Sequence, residues 1–179
     1  MKPQDMFIGV AQEQDIPALH MLVESAYRGE SATRGWTHEA DLLGGQRTDQ
    51  VALRDNIRDK NQIILLAMDG EKIAGCVQLA RVQDGLVYLG LLTVDPHRQA
   101  GGLGKMLLNA AELYGTEKWQ TKAVEMTVIR QRTDLIAYYE RRGYAPTGER
   151  RPFPLDNPRY GLPKTQDLEF VVLRKVLTA

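Results

Sequence analysis

An apolar strand pattern runs directly into a glycine-rich loop and then into a helical pattern over residues 91–108, LLTVDPHRQAGGLGKMLL. Three glycines within residues 101–104 remove Cβ atoms that would hold a ligand away from the backbone, and they permit positive φ. The first N–H groups of a helix lack intrahelical partners and lie at the positive end of its dipole, which favours an anion there. The segment therefore predicts a diphosphate-binding loop, although a glycine-rich turn that only connects two packed elements remains an alternative.

Two well-known phosphate-binding motifs fit this segment poorly. A Walker loop would need glycine where Gln99 stands and serine or threonine where Met106 stands. A Rossmann fingerprint would need a small residue at Leu107, and it would belong to an early strand–helix–strand unit. The sequence therefore supports neither of these nucleotide-binding folds.

The length and charge of the chain restrict its class. With 179 residues, of which 43% are hydrophobic, the chain is expected to form a single domain, residues 1–179, with its own core. Lysine plus arginine and aspartate plus glutamate each number 23, so the net charge is zero. This balance gives no reason to expect a nucleic acid or an anionic membrane as a partner.

The cysteine and histidine content argues against disulfides and metals. Cys76 is the only cysteine, which excludes an intrachain disulfide and favours a small core residue in an apolar strand. His20, His38 and His97 do not share the spacing of metal ligands, so no metal is predicted. No apolar run reaches signal or membrane-spanning length, and we therefore expect a cytoplasmic protein.

Apolar periodicity and turn residues predict alternating strands and helices. Strands are predicted over residues 7–11, 62–68, 73–81, 86–94, 124–129, 144–147 and 168–177. Asp69-Gly70 and Asp84-Gly85 are typical hairpin turns, which makes the second to fourth strands a meander. Helices are predicted from residue 15, near 39–43 and 49–59, from the glycine loop to about 119, and over 134–142. For the last of these helices, Thr133 or Asp134 is the predicted N-cap, and Gly143 ends the helix. This order predicts one mixed α/β domain.

Two motifs resemble those of the GNAT superfamily of N-acetyltransferases. Gln99-x-x-Gly102-x-Gly104 after Val94-Asp95-Pro96 resembles the family's diphosphate signature. Downstream, Tyr139-Glu140-Arg141-Arg142-Gly143-Tyr144 resembles its Y-E-x-x-G-F/Y segment. The resemblance covers roughly residues 5–177, and it implies a GNAT-type single domain in which helices flank a mixed, mostly antiparallel sheet.

The resemblance also implies an acyltransferase with acetyl-CoA as its co-substrate. In this family the pantetheine lies along the fourth long strand, which here implies contacts with the backbone of Leu92, Thr93 and Val94. The diphosphate would lie against amides of the glycine loop: Gln99, Ala100, Gly101, Gly102, Leu103, Gly104 and Lys105. Arg132 stands where the family often has asparagine, and with Arg130 it is a candidate for contact with phosphates.

Acetyl transfer to an amine poses two proton problems. An alkyl ammonium has a pKa of about 10.4 and must lose a proton, and a departing thiolate, with a pKa of about 8.5, benefits from a proton donor. Tyr139 matches the family tyrosine that serves as this donor, and the resemblance implies an oxyanion donor in a backbone N–H near Val94. Residues 86–94 contain no carboxylate, so Glu125, Glu169 and a water chain remain candidates for the base.

The acceptor is predicted only in outline. Trp36 and Glu39 offer an aromatic surface and an acid that suit the cationic amine of a small molecule or a protein. A homodimer is possible by resemblance. The missing strand carboxylate also leaves open a second function, a catalytically silent module that binds CoA for regulation.

Overall fold

The computed structural model describes residues 6–28, 42–98, 101–155, 157–158 and 161–178. In these ranges the elements follow in the order β1 (Met6–Val10), α1 (Ile16–Tyr27), β2 (Leu43–Gly44), α2 (Gln50–Arg58), β3 (Gln62–Asp69), β4 (Lys72–Gln83), β5 (Leu86–Val94), α3 (Leu103–Trp119), β6 (Ala123–Ile129), α4 (Thr133–Glu140), β7 (Ala145–Pro152), β8 (Leu162–Pro163) and β9 (Glu169–Val176). None of the helices described is both long and apolar enough to cross a membrane.

Seven strands form one sheet in the order β1-β3-β4-β5-β6-β9-β7. Only the β5–β6 pair is parallel, and every other pair in this sheet is antiparallel. β2 and β8 pair separately as a short two-stranded sheet. The predicted mixed, mostly antiparallel sheet with flanking helices is therefore confirmed.

The core lies on both faces of the large sheet because successive strand residues point to opposite sides. In β3, Ile63 and Leu65 pack in a cluster with buried residues of α3, whereas Ile64 and Leu66 pack in a second cluster with α1 and α2. Tyr139 of α4 belongs to the first cluster. The sheet therefore has α3 and α4 on one face and α1 and α2 on the other.

Several predicted boundaries differ from the structure for identifiable reasons. The strand predicted at 144–147 extends to Pro152, because pairing with β9 holds a segment whose composition is poor in strand-forming residues. α4 has Arg132 at its N-cap, so the predicted cap at Thr133 or Asp134 is wrong; the Asp134 carboxylate lies 3.5 Å from the Arg132 guanidinium instead. A helix was predicted near 39–43, but Leu43 is the first residue of strand β2. Residues 39–41 of this prediction lie outside the described residues.

Gly75 in β4 occupies a position with no room for a side chain. A Cβ there would lie 2.7 Å from the Thr93 carbonyl oxygen and 2.9 Å from Leu107 Cδ1. Because the oxygen belongs to the backbone of β5, the contact cannot be relieved by a rotamer change. We expect Gly75→Ala to lower the free energy of unfolding by about 1–3 kcal/mol, measured by urea denaturation.

Gly9→Ala is the matched control for this substitution. Gly9 also lies in a strand, but its Cβ would meet only ordinary contacts at 3.8 Å and 3.9 Å. The free energy of unfolding of the Gly9→Ala variant is expected to stay within about 0.5 kcal/mol of that of the parent protein. Equal stability of the two variants would show that β4 and β5 can separate without cost at Gly75.

Candidate active site

β5 contains a bulge at Leu91 and Leu92. Gly90 pairs with Gln78 and Thr93 pairs with Cys76, so two residues of β5 face a single residue of β4. Leu91 adopts a φ of 55°, a left-handed conformation that is strained for a leucine. A bulge bends its strand and increases the local twist, so the end of β5 departs from the plane of the sheet. Sequence reasoning missed this bulge, because no glycine stands at either position.

β5 and β6 separate immediately before the bulge. Their parallel pairing covers only Leu86–Tyr88 on β5 and 123–125 on β6. Beyond these pairs the two strands enclose a cleft of about 110 Å³. Its lining includes residues of both strands together with residues from α1, the loop before α2, α4 and its N-cap, and β9: Tyr27, Arg47, Tyr88, Leu89, Gly90, Leu91, Leu92, Met126, Thr127, Val128, Ile129, Arg132, Leu135, Tyr139 and Phe170.

The glycine-rich loop ends in a helix start suited to an anion. Gly102 is the N-cap of the 17-residue helix α3, with a φ of 76°, and Leu103, Gly104 and Lys105 form its first turn. Before the loop, Arg98 pairs with Asp69 of β3 at 2.5 Å, which anchors the loop to the β3–β4 turn. Gln99 and Ala100, also predicted to contact the diphosphate, lie outside the described residues.

The loop has room for a diphosphate. A Cβ added at Gly101 or Gly102 would meet no atom within 4 Å, so the backbone there borders open space. Leu103 and Gly104 are buried and fix the first turn, whereas Lys105 is exposed. An open, positively polarised helix start beside the end of β5 is therefore a suitable cradle for a diphosphate.

Tyr139 reaches the cleft from α4. Its side chain is 6% exposed and packs edge to face on Tyr138 at 5.4 Å and on Tyr144 at 6.0 Å between ring centroids. Burial, with smaller contributions from neighbouring phenols, raises the pKa of Tyr139 well above its usual value. The phenol therefore stays protonated at neutral pH, as a proton donor must.

Two further tyrosines, which sequence reasoning did not identify, bring hydroxyl groups to the cleft. The Tyr27 hydroxyl at the end of α1 donates to the Leu92 carbonyl at 2.5 Å. The Tyr88 hydroxyl lies 2.7 Å from Thr127 Oγ1 and so spans the gap between β5 and β6. The Tyr88 ring passes over Gly90, whose Cβ would lie 3.1 Å from it. A glycine two residues after a strand tyrosine was the available sequence signal for this close approach.

Neither carboxylate considered as a base lines the cleft. Glu125 is 3% exposed and accepts from Arg151 at 2.6 Å and from Arg174 at 2.7 Å. Although burial alone would raise the pKa of Glu125, these two arginines lower it below the usual value. Glu169 pairs with Arg150 at 2.8 Å on an exposed part of the sheet. Both carboxylates are therefore engaged in ion pairs away from the cleft.

The remaining predicted residues separate into those near the cleft and those elsewhere. Arg132 is 8% exposed and lines the cleft, whereas Arg130 pairs with Asp167 at 2.9 Å and does not line it. Trp36 and Glu39 lie outside the described residues. Cys76 is fully buried, and burial raises the pKa of its thiol to about 12, which suits the predicted core position.

A larger depression of about 730 Å³ lies around the β4–β5 turn and the end of α3. Its lining includes Arg81, Gly85 and Trp119, but neither the glycine loop nor Tyr139. It lies at the start of β5, whereas the loop follows the end of this strand. The smaller cleft is therefore the candidate active site, because it is lined by Tyr139 and by the end of β5, the strand that leads into the glycine loop.

Comparison with known proteins agrees with this geometry. The sequence profile of the acetyltransferase (GNAT) family matches residues 18–144. The fold is similar to that of the ribosomal-protein-S18-alanine N-acetyltransferase from Escherichia coli, with a TM-score of 0.69, 16% identity, and 97% of this chain and 95% of that chain covered. An N-acetyltransferase from Staphylococcus aureus Mu50 gives a TM-score of 0.72 at 10% identity, with coverage of 96% and 97%.

A chimera of the spermidine N-acetyltransferase SpeG from Vibrio cholerae and hSSAT is similar as well, with a TM-score of 0.66, 16% identity, and coverage of 96% and 95%. Comparison with curated protein sequences gives no match. Because the sequence identities are low, the similarity to these solved structures establishes only the fold. The family is established by the match of the GNAT sequence profile to residues 18–144. The chain belongs to the GNAT acetyltransferase family, and its enzymatic class is acyltransferase.

Proposed function

We propose that the protein transfers an acetyl group from acetyl-CoA to a primary amine by direct attack of the amine on the thioester. The observation that carries this proposal is the Tyr139 side chain in the cleft between β5 and β6. β5 leads from this cleft into the open loop at Gly101 and Gly102. Acetyl-CoA would supply the activated acetyl group as a thioester.

The residues of β5 and α3 proposed to bind acetyl-CoA lie at the bulge and after it. Backbone groups of Leu92, Thr93 and Val94 at the end of β5 would contact the pantetheine. Amides at the start of α3, from Gly102 to Lys105, would bind the diphosphate, with Gly101 leaving space for it. The buried Arg132 guanidinium at the cleft would add a positive charge near the phosphates. Gln99 and Ala100 remain predicted contacts.

Tyr139 is proposed as the general acid that protonates the departing thiolate. Its phenol has an ordinary pKa of about 10, which burial raises further, so it is protonated at neutral pH, and it lines the cleft. A phenol also packs well against an apolar pantetheine arm. The backbone N–H near Val94 is proposed to stabilise negative charge on the thioester oxygen.

The hydroxyl groups of Tyr88 and Thr127 are proposed to receive the amine. Among the described residues no carboxylate lines the cleft, so deprotonation has to use neutral groups and water. Tyr88 and Thr127 already form a hydrogen bond to each other, and such a pair can accept an amine N–H and pass a proton on to solvent water. This arrangement orients the amine lone pair without a carboxylate.

Acceptor-dependent release of the CoA thiol tests the proposed function. The purified protein would be incubated with acetyl-CoA and separate panels of amino acids, polyamines and peptides, and free thiol would be measured over time. A transferase releases thiol in proportion to added acceptor. A regulatory module that only binds CoA would show stabilisation by acetyl-CoA without acceptor-dependent thiol. Cytoplasmic location, a homodimer, and the roles of Trp36 and Glu39 stay predictions.

A further inference from the structure

A second pocket adjoins the active-site cleft on the face of α1. It has a volume of about 170 Å³ and shares Arg47, Ile129 and Phe170 with the cleft. An acceptor whose amine enters the cleft would therefore place the rest of its body in this space, which we call the acceptor pocket. Its volume suits a body about the size of one amino-acid side chain rather than a long chain.

The walls of the acceptor pocket are mostly apolar. Leu43, Ile129 and Phe153 belong to one buried cluster, and the Phe153 and Phe170 rings lie 5.3 Å apart. Pairing of β2 with β8 holds Leu43 opposite Pro163, which fixes this wall. Such a surface favours an acceptor with an apolar body, and it offers little to the repeated cationic groups of a polyamine.

The charged groups among the described lining of the acceptor pocket are arginines. Arg28 at the end of α1 and Arg47 both line it, and no described carboxylate does. Each guanidinium has five N–H donors in a planar fork, so it can bind a carboxylate in addition to other partners. Guanidinium groups in the lining favour an anionic group on the acceptor over additional ammonium groups.

Arg47 is held in a fixed position beside the reacting centre. The backbone N–H groups of Arg47 and Thr48 donate to Glu24 Oε1 at 2.8 Å and 2.9 Å, which ties this loop to α1. The Arg47 guanidinium lies 5.1 Å from the centre of the Tyr27 ring. The Tyr27 hydroxyl in turn binds the Leu92 carbonyl in the cleft. The Tyr27 side chain thus lies between Arg47 and β5, the strand proposed to hold the thioester.

We propose that the acceptor is a small amine that also carries a carboxylate and an apolar body, as an apolar amino acid does, and that Arg47 with Arg28 binds the carboxylate. A carboxylate fits better than a phosphate because the apolar walls make the desolvation of a dianion costly. This inference rests on the proposed function and adds the substrate class. It also adds a carboxylate-binding group to the predicted recognition of a cationic amine by Trp36 and Glu39.

Amines that share an apolar side chain and differ only in the group beside the amine test the inference. One set is phenylalanine, phenylalaninamide and phenethylamine. A second set with a smaller side chain is leucine, leucinamide and 3-methylbutylamine. In at least one set we expect kcat/KM for the carboxylate to exceed that for the other two by about 10- to 100-fold. The amide has the less basic amine, so a preference for the carboxylate over the amide cannot arise from easier deprotonation. Spermidine is expected to be the poorest acceptor.

Variants at Arg47 connect this preference to the pocket. Arg47→Met is expected to bring the three acceptors to within about threefold of one another, and Arg47→Lys to keep part of the preference. The Kd of acetyl-CoA, which reports folding, should change little in either variant. Arg150→Met removes an exposed arginine that lines neither cavity and should leave the preference intact.

The outcomes separate this inference from the function on which it rests. Acetylation of phenethylamine or spermidine as fast as the carboxylates would overturn the inference and leave the transferase standing. A preference that survives in Arg47→Met would also overturn it. Acetyl-CoA binding with no acetylation in any set would contradict the proposed function and this inference together.

Discussion

Tyr139→Phe is expected to lower kcat for acetyl transfer by about 10²- to 10⁴-fold, the usual contribution of a positioned general acid. The substitution removes one hydroxyl from the cleft and keeps the ring that packs on Tyr138 and Tyr144. Stability and the Kd of acetyl-CoA should therefore change little. The measurement is steady-state thiol release at saturating acetyl-CoA with the best acceptor found.

Tyr138→Phe is the matched control for this result. Tyr138 is adjacent on α4 but does not line the cleft, and its ring lies 3.4 Å from the Arg142 guanidinium carbon. Turnover of this variant should stay close to that of the parent. If Tyr139→Phe also turned over at the parental rate, Tyr139 would have no role in proton transfer, and the thiolate would have to leave without a protein acid.

The second large effect is expected at the start of α3. Gly102→Ala should raise the Kd of acetyl-CoA about tenfold or more, because a side chain at a φ of 76° is strained and a Cβ would enter the space proposed for the diphosphate. Isothermal titration calorimetry with acetyl-CoA and with CoA gives both affinities. The two should weaken equally, since both contain the same diphosphate.

Gly148→Ala separates backbone strain from ligand contact. Gly148 in β7 has a φ of 85°, and a Cβ there would likewise meet nothing within 4 Å. Both variants should therefore lose similar thermal stability, whereas only Gly102→Ala should lose affinity. An unchanged Kd in Gly102→Ala would mean that the diphosphate does not approach this loop.

Local sequence signals were sufficient for much of the fold. Turn residues at Asp69-Gly70 and Asp84-Gly85 predicted the meander β3–β5, and the structure confirms it. The order of the remaining strands could not be predicted, because β9 pairs between β6 and β7 through contacts that are distant in sequence. The irregular pairing of β7 around Gly148 was not predicted either, although a glycine within a strand often marks such an irregularity.

The candidate site was predictable where one short segment determines the chemistry. The glycine loop and Tyr139 each stand in a recognisable motif. The structure places Tyr139 in the cleft and the loop after β5, which lines the same cleft. Tyr27, Arg47 and Tyr88 were not predicted, because their approach is set by the packing of α1, the loop before α2 and β5. The left-handed Leu91 was unpredictable for a different reason: surrounding packing imposes a conformation that leucine alone disfavours.

A crystal structure of the protein with bound acetyl-CoA tests the central claim most directly. The account predicts diphosphate oxygens at the backbone amides between Gly102 and Lys105, and the thioester in the gap between β5 and β6 beside Tyr139. A diphosphate bound elsewhere, or a thioester remote from Tyr139, would contradict the account.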